Sequence, residues 1–554
     1  MASDSPTDPV GSRFTLFAFS GFGIAGRIGQ QSGIHITNLL RKSFAKSVVL
    51  IATAALLALA LTNVQAAVSL TVGPNVNISK SSENNAEECI AINPRNPLNL
   101  FVSDTWALMT RYSLDGGMTW NDSNISALPA SDGDVSAAFD SFGNLYLSRF
   151  GTSSFRVAVG LSTNGGSSFS LQYQTPDNNL DQPSVTTGPS ALPGRPNVWI
   201  SYTTSSGNQV ARGAAVAGLG AIGAFSAAQT AGTNGDYGDI VVGPTGQVFI
   251  VYQNANGGIG PDVLRGNFDA DGLGAGGFGL TINTTTTQVG SFAPLPAQPQ
   301  RDVDSEAGLA WDSSGGPFNG RLYLVYTDRP STGSADTDIY VRFSNNNGAT
   351  WSSRVRVNDD TVGNGKSQFL PRIAIDQTSG NIAVSFYDCR NSPGNNTTEL
   401  WATISTDGGA TFLPNVKVSA GVSSALVPAI SSTTFDYGDY CGLCFHGGTF
   451  YPCWADNSNS TGDNPAGAQN NFDLYTARVT VNVPLVMLNP RYTNSTFRAS
   501  VQTVAAKTYF LESTAALSPA NWSTVTSVPG DGTLKDLVDS SATGPAQFYR
   551  IRAL

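Results

Sequence analysis

The sequence predicts an all-β fold made of repeated small sheets, followed by a small C-terminal β-sandwich domain. Three observations lead to this prediction: a short turn motif occurs four times, a strand–turn–strand pattern occurs seven times, and both repeats stop near residue 483. The chain has 554 residues, which is more than one ordinary hydrophobic core serves, and it contains 59 glycines. A repeat architecture with an accessory domain accommodates this length and composition.

The repeated turn has Ser at its first position, Asp or Asn at its third, Gly at its fifth and Trp or Phe at its eighth. Its four copies are SLDGGMTW (113–120), STNGGSSF (162–169), SNNNGATW (344–351) and STDGGATF (405–412). The Asp or Asn side chain can accept hydrogen bonds from amides of its own turn, and Gly permits the positive φ that closes the turn. Each copy follows an alternating strand pattern, so we expect a structural connection between strands.

The second repeat consists of an apolar strand, a turn and an aromatic-rich strand. Its copies are residues 88–104, 135–149, 183–202, 239–252, 307–328, 371–388 and 441–456. A period of about 45–70 residues fits one four-stranded propeller blade for each copy. Residues 67–79 resemble a fourth strand, and pairing them with 473–481 would remove two exposed sheet edges. The sequence therefore predicts a seven-bladed β-propeller over residues 67–482, with six blades as the alternative count.

The C-terminal region, residues 483–554, departs from the repeat. The segments FRASVQTV, KTYFLEST, WSTVTSV, TLKDLVD and AQFYRIRAL are typical of the short strands of a small β-sandwich. We expect this module to serve stability, surface attachment or sorting, and it contains no pattern that predicts catalysis.

The N-terminal region, residues 1–66, predicts export. Three basic residues at 41, 42 and 46 precede the apolar run 48–61, and Val64-Gln65-Ala66 provides a small-residue cleavage site. The apolar run is short for a membrane span, and a retained anchor is the alternative. The mature chain is therefore expected to be secreted or attached to the cell surface, without a membrane span once the signal has been removed.

Charge and motif content exclude several classes of function. The formal net charge of −10 argues against a nucleic-acid partner, which would require a basic face. His446 is the single histidine after residue 66, which argues against a Ser-His-Asp triad. The G-x-S-x-G, HExxH and P-loop motifs are also absent from the sequence.

Export would place the five cysteines in an oxidising environment. These residues are Cys89, Cys389, Cys441, Cys444 and Cys453. Cysteines of exported proteins are candidates for disulfides. We expect a bridge across a hairpin between Cys453 and either Cys441 or Cys444, which leaves at least one thiol free or intermolecular.

The turn pattern S-x-D-G-G-x-T-W resembles the Asp-box, or BNR repeat, of the sialidase-like β-propeller superfamily. In that family the boxes lie between the third and fourth strands of a blade, on the face opposite the active site. The resemblance therefore implies a carbohydrate-acting propeller whose repeated turns are structural. The family's F/Y-R-I-P motif is absent, and EECIAINPRNP stands in its place. Site candidates are therefore chosen by residue type and position.

Residues that open the innermost strands of a propeller, or end its second strands, meet at one mouth of the central channel. In the sialidase-like family three arginines bind the substrate carboxylate, a Tyr–Glu pair supplies the nucleophile and an Asp is the acid. The candidates of these types are Arg149, Arg329, Arg372 and Arg390 for the arginine clamp, Tyr437 or Tyr440 with Glu306 or Glu88 for the nucleophile, and Asp104 or Asp134 for the acid.

The same rim permits two other interpretations. Clustered carboxylates without histidine suit Ca²⁺, and the candidate ligands are Asp236, Asp239, Asp436 and Asp439. Alternatively, each carboxylate caps a turn.

The leading hypothesis is an exported sialidase-like exo-glycosidase that acts on acidic glycans or glycoconjugates. The alternatives are a non-catalytic propeller that binds a glycan, calcium or a protein, and a structural component of the cell envelope or matrix attached through the C-terminal module.

Overall fold

The computed structural model describes residues 68–554, except 153, 193, 255–257, 504–506, 531–532 and 544–546. The predicted export signal, residues 1–66, lies outside the described residues. The described chain divides into two compact units, one from Ser69 to Asn482 and one that includes Val483–Leu554. Among the described residues, no helix is long and apolar enough to cross a membrane.

The regular elements of the first unit are β-strands apart from one short helix, which confirms the predicted all-β class. In chain order its elements are β1 (Ser69–Asn77), β2 (Glu88–Ile92), β3 (Leu100–Asp104), β4 (Thr110–Ser113), β5 (Asn121–Asp122), β6 (Ser131–Phe139), β7 (Leu145–Gly151), β8 (Arg156–Ser162), β9 (Ser170–Gln174), β10 (Leu180–Gly188), β11 (Asn197–Thr204), β12 (Gln209–Gly218), β13 (Ala221–Ile222), β14 (Gln229–Gly232), β15 (Gly235–Val242), β16 (Val248–Asn254), β17 (Asp262–Asp269), β18 (Ile282–Thr287), β19 (Ala293–Leu295), β20 (Gln298–Val303), β21 (Gly308–Trp311), β22 (Leu322–Asp328), β23 (Asp338–Ser344), β24 (Val355–Arg356), β25 (Gln368–Ile375), β26 (Ile382–Asp388), β27 (Glu399–Ser405), β28 (Val416–Lys417), the short helix α1 (Pro428–Ser431), β29 (Gly442–His446), β30 (Thr449–Asp456) and β31 (Asp473–Asn482).

These strands form small antiparallel sheets arranged in a ring, as in a β-propeller. The sheets are β2–β5, β6–β9, β10–β14, β15–β18, β21–β24, β25–β28 and the group β29, β30, β31 and β1, while β19 and β20 form a separate hairpin. Each predicted strand–turn–strand copy supplies the first two strands of one sheet. The first strands of successive sheets contact each other in chain order, and β29 contacts β2 again. The first strands therefore lie innermost in a closed ring.

The second strand of each sheet lies between neighbouring sheets, which explains its composition. All seven residues of β22, LYLVYTD, and of β26, IAVSFYD, are buried. A strand that is covered on both faces loses the alternation of polar and apolar residues and becomes a continuous apolar run. The side chains of β22, β23, β25 and β26 pack into one hydrophobic cluster between two sheets.

The ring is closed by the pairing of β1 with β31, as predicted from the sequence. Asp473 begins β31 and is fully buried. Its carboxylate accepts hydrogen bonds from Asn77 Nδ2 (2.6 Å), Ser79 Oγ (2.6 Å) and the Ser81 amide (2.8 Å). One buried carboxylate thus holds the end of the N-terminal strand against the last sheet.

The four repeated turns share one hydrogen-bond pattern and lie between the third and fourth strands of their sheets. In the first copy, Asp115 Oδ1 accepts hydrogen bonds from the amides of Met118 and Thr119, both at 3.0 Å. Ser113 Oγ accepts from the Gly117 amide at 2.9 Å. Gly117 has φ of 85°, a conformation that Gly adopts without the strain a side chain would add. The side-chain hydrogen bonds of Ser113 and Asp115 stay within the turn, which indicates a structural role.

Replacing Asp115 by alanine is expected to lower the free energy of unfolding by about 1 kcal/mol, because turn amides lose their acceptor. The measurement is urea denaturation of the variant beside Leu114→Ala, which changes an exposed side chain of the same turn. An Asp115→Ala protein with the same unfolding free energy as the unaltered protein would contradict the structural role of the turn.

The second unit contains two three-stranded antiparallel sheets. Its strands are β32 (Leu488–Thr493), β33 (Thr496–Gln502), β34 (Thr508–Thr514), β35 (Ser523–Pro529), β36 (Leu534–Asp539) and β37 (Phe548–Ala553). One sheet has the order β32-β33-β36 and the other β35-β34-β37. Side chains from both sheets, including Phe497, Leu511, Leu537 and Tyr549, share one hydrophobic core.

The expected disulfide is not formed, since all five cysteines are free thiols. In the β29–β30 hairpin the residue opposite Cys453 is Gly442, and the residue opposite Cys444 is Tyr451. In this register Cys444 and Cys453 lie diagonally across the hairpin and are not directly opposite each other. The Cys441 thiol instead donates a hydrogen bond to the Leu370 carbonyl at 3.2 Å.

Candidate functional site

Two cavities near the beginnings of the innermost strands are lined by clustered charged residues. The larger, here called the mouth pocket, has a volume of about 780 Å³. The smaller, here called the chamber, has a volume of about 140 Å³ and receives residues from the first strands of several sheets. Asp134 lines both cavities. The other charged residues of the mouth pocket are Glu87, Asp181, Asp236 and Arg301, and those of the chamber are Glu88, Glu306 and Arg372.

An unusual backbone conformation recurs where the innermost strands begin. The residues with this conformation are Glu87, Asp134, Gln182, Tyr237, Glu306 and Leu370, with φ between 33° and 55°. Non-glycine residues rarely adopt positive φ, and such strain concentrates at functional sites. The pairing of β6, β10, β15 and β25 with their neighbours is irregular at the same place. Such bulges redirect side chains, here toward the rim of the ring.

Asp134 and Asp181 form a pair of carboxyl groups at the mouth pocket. Their side chains lie within hydrogen-bonding reach of each other. Burial, followed by the nearby charges of Asp181 and Asp439, raises the pKa of Asp134 to about 8. Burial also raises the pKa of Asp181, and the hydrogen bond from Asp134 opposes that rise. At neutral pH, Asp134 therefore holds a proton, which it can share with Asp181.

Arg301 is the guanidinium at the mouth pocket. It lies in the extra hairpin, on β20, and its Nε donates to Asp439 Oδ1 at 2.7 Å while Nη2 donates to Oδ2 of the same carboxylate. Its guanidinium also lies 5.0 Å from the centre of the Phe435 ring. Arg301 is not among the site candidates predicted from the sequence, because the hairpin lies outside the repeat. The sequence feature that could have identified Arg301 is the charged segment QRDVDSE, immediately before the fifth innermost strand.

Five of the residues proposed for sialidase-like chemistry line the chamber, namely Glu88, Asp134, Glu306, Arg372 and Tyr440. Arg372, on β25, approaches Asp239 with its Nη1 at 3.5 Å from the carboxylate. Burial and the adjacent Asp304 charge raise the pKa of Glu306 well above its usual range. Tyr440 Oη accepts a hydrogen bond from the Val135 amide at 3.0 Å. Arg372, Glu306 and Tyr440 are therefore brought to one cavity, together with Asp134.

The structure does not bring the four predicted clamp arginines together. Arg329 donates to the carbonyl oxygens of Gln288 (2.9 Å) and Ser334 (3.2 Å), and Arg149 donates to the Pro129 carbonyl. These contacts engage the two guanidinium groups with the backbone of neighbouring loops.

Arg390 has a similar structural role at the sixth sheet. It pairs with Asp388 (2.7 Å) and Asp359 (2.6 Å), donates to Asn415 and lies over the Trp401 ring. Of the four arginines, Arg372 is the one that lines a described cavity. The sequence pattern places all four near strand ends, but the direction of each side chain depends on its local partners.

Tyr437 and Asp104 also serve the fold. The Tyr437 hydroxyl lies 3.2 Å from the hydroxyls of Thr398 and Ser423, and its side chain is 1% exposed. Asp104 accepts hydrogen bonds from the amides of Ala107 (2.9 Å) and Met109 (2.7 Å), as a turn cap does. Burial raises the pKa of Asp104 to about 6, although these hydrogen bonds favour its charged form.

The four predicted calcium ligands have separate partners. Asp236 lines the mouth pocket, Asp239 accepts from the Leu309 amide, Asp436 caps the amides of residues 300 and 301, and Asp439 pairs with Arg301. Within the part of the chain that the structure describes, no group of three or more His, Cys, Asp or Glu residues is arranged to hold a metal ion.

Comparison with known proteins yields distant structural similarity only. No protein-family model matches the chain, and no curated protein matches it. Similar solved structures include a protein of unknown function from Dyadobacter fermentans (10% identity, TM-score 0.40, 74% of this chain and 99% of that chain), the alpha-L-arabinanase of Penicillium chrysogenum complexed with arabinobiose (14%, 0.38, 64% and 97%) and the polysaccharide lyase Uly1 (9%, 0.43, 74% and 100%). At this distance they assign no residue role or substrate to this chain.

Proposed function

We propose that the protein is a glycoside hydrolase whose active site is the mouth pocket of a seven-bladed β-propeller closed by β1. The observation that carries this proposal is that Asp134, with a pKa raised to about 8, and Asp236, with a pKa of about 6, line the same pocket of about 780 Å³. Glycoside hydrolysis requires a carboxylic acid that stays protonated near neutral pH and a second carboxylate that is ionised.

Asp134 is the general acid in this proposal and donates its proton to the leaving glycosidic oxygen. Asp236, on the fourth innermost strand, is the second carboxylate. Burial and the charge of Asp181 raise its pKa to about 6, so Asp236 is mostly ionised at neutral pH. Asp181 is a positioning residue, which orients Asp134 through their hydrogen bond.

Aromatic side chains supply the apolar part of the proposed sugar site. Trp106, Phe150, Phe155 and Phe435 line the mouth pocket. Sugar-sized ligands are usually held by apolar surfaces together with a few oriented polar groups. Trp106 Nε1 is buried and has no hydrogen-bond partner among the described residues. It is therefore a donor available to a substrate hydroxyl.

Export and surface attachment remain parts of the proposal. Residues 1–66 would act as the removable export signal, and the two-sheet C-terminal unit would be a β-sandwich that serves attachment or stability. Export of the full-length chain with cleavage near Ala66 is the supporting result, and mass spectrometry of the secreted protein measures it.

The test of the function is turnover of fluorogenic glycosides by the purified protein. The panel contains neutral, amino, N-acetylamino, uronic and sialic glycosides at pH 7. We expect turnover of a non-anionic glycoside and little of the sialoside, because carboxylates outnumber guanidiniums at the mouth pocket. Glycan binding without turnover would favour the non-catalytic binding propeller. Absence of both binding and turnover in the folded protein would contradict a glycan-directed function.

A further inference from the structure

Glu88 is a buried carboxylate that the proposed acid–base chemistry does not use. It begins β2, lines the chamber and is 1% exposed. Neither of its carboxylate oxygens makes a hydrogen bond of regular geometry with the described residues, although the backbone amides of Glu88 and Gly442 lie close enough to favour its charged form. A buried polar group without a partner costs free energy, and native structures rarely leave one unexplained. Its position in a cavity wall points to a ligand that donates hydrogen bonds.

The carboxyl groups around the chamber favour a cationic ligand, because a bound cation would stabilise their ionised forms. Glu88, Glu306 and Asp134 come from three different sheets and line the same cavity. The guanidinium of Arg372 also lines it, but Asp239 lies 3.5 Å from that guanidinium and offsets its charge. Burial raises the pKa of Glu88 and of Glu306 well above their usual range, as expected where a counter-charge is lacking.

An ammonium group fits this chamber better than a metal ion. As stated above, the described part of the chain presents no metal-binding group of side chains. An ammonium carries three N–H donors and requires no fixed coordination geometry. The chamber, at about 140 Å³, suits a substituent rather than a whole oligosaccharide. Since Asp134 lines both cavities, the sugar ring that bears the substituent would stay in the mouth pocket.

We propose that the substrate class of the mouth pocket is glycans with a free amino group, whose ammonium is bound in the chamber by Glu88 and Glu306, while Asp134 remains the general acid. This assignment rests on the proposed function for the position of the sugar ring. The mouth pocket also suits a cationic substrate. Asp439 neutralises Arg301 there, whereas the carboxyl groups of Asp181 and Asp236 remain available to a cation. Anionic sugars are disfavoured for the same reason.

The test is calorimetric titration of the purified protein with a glucosamine tetramer and with the N-acetylglucosamine tetramer, at pH 7 and about 0.15 M salt, which screens non-specific attraction. We expect the free-amine tetramer to bind at least tenfold more tightly, because acetylation removes the charge. Glu88→Gln should weaken binding of the free-amine tetramer at least tenfold. The matched control is Glu83→Gln, which changes an exposed carboxylate nearby in sequence and should bind as the unaltered protein does.

Equal affinity for the two tetramers would overturn the proposal, and so would a preference that survives in Glu88→Gln and Glu306→Gln alike. If Glu88→Gln does not fold, the proposal is tested by the affinity of Glu306→Gln for the free-amine tetramer and by the affinities of the unaltered protein for the two tetramers. Glu88-dependent binding of the free-amine tetramer without turnover of any glycoside would support this ligand class and contradict only the hydrolase. Turnover of neutral glycosides with no preference for a free amine would contradict only the ligand class.

Discussion

Replacing Asp134 by asparagine is expected to lower kcat/KM on the best glycoside of the panel by about 10²–10⁴-fold, the usual contribution of a general acid. Asparagine keeps the shape and the hydrogen bond to Asp181 but has no proton to transfer. Initial rates of the purified variant measure the effect. A substrate with a strongly acidic leaving group should lose less activity, because its departure needs less protonation.

The pH profile provides a second measure of the same residue. The pKa of Asp134 is about 8, so kcat/KM of the unaltered protein should fall as pH rises through that value and the acid loses its proton. The kcat/KM of Asp134→Asn should not show this decrease at high pH. Asp122→Asn is the control, since the Asp122 side chain is 81% exposed and lines neither the mouth pocket nor the chamber. Activity of Asp134→Asn within twofold of the unaltered protein would remove Asp134 from the mechanism.

The Asp473→Ala variant is expected to lose about 3 kcal/mol or more of unfolding free energy. The substitution removes the acceptor of Asn77, Ser79 and the Ser81 amide at a fully buried position. Each buried donor left without a partner costs about 1–3 kcal/mol. Equilibrium denaturation in urea measures the loss.

Release of β1 should accompany that loss of stability. Detachment would expose the edge of β31, so limited proteolysis before residue 88 and self-association should both increase. Asp122→Ala, which removes an exposed carboxylate that contacts Arg111, should change the unfolding free energy by no more than about 0.5 kcal/mol. A loss below about 1 kcal/mol in Asp473→Ala would mean that this carboxylate does not hold the ring closed.

The strand order was largely predictable because each strand carries a local signal. The apolar–turn–aromatic repeat identified the first two strands of each sheet in the ring. The four turn motifs identified the connection between the third and fourth strands in four of those sheets. Residues 67–79 were predicted to pair with 473–481, and β1 pairs with β31. These features depend on the period of apolar residues, on the residues that form turns and on the pairing of exposed sheet edges, all of which can be recognised in the sequence.

The candidate site was predictable only as a region. Carboxylates before the innermost strands were expected at the rim, and Asp134, Glu306 and Arg372 line the chamber. Arg329 and Arg390 occupy similar positions in the sequence but bind loop carbonyls and neighbouring carboxylates. Residue type and strand position do not determine which way a long side chain extends, because that choice depends on partners from distant parts of the chain.

The sequence by itself determined the all-β class, the repeated sheets, the structural nature of the turns and the acidic character of the rim. Only the tertiary structure decided that Asp134 meets Asp181 across two sheets, that Arg301 enters the mouth pocket from an extra hairpin, and that the cysteines are unpaired. The physical reason is that turns and strands depend on neighbouring residues, whereas the pKa and the partner of a buried group depend on burial and on charges contributed by separate sheets.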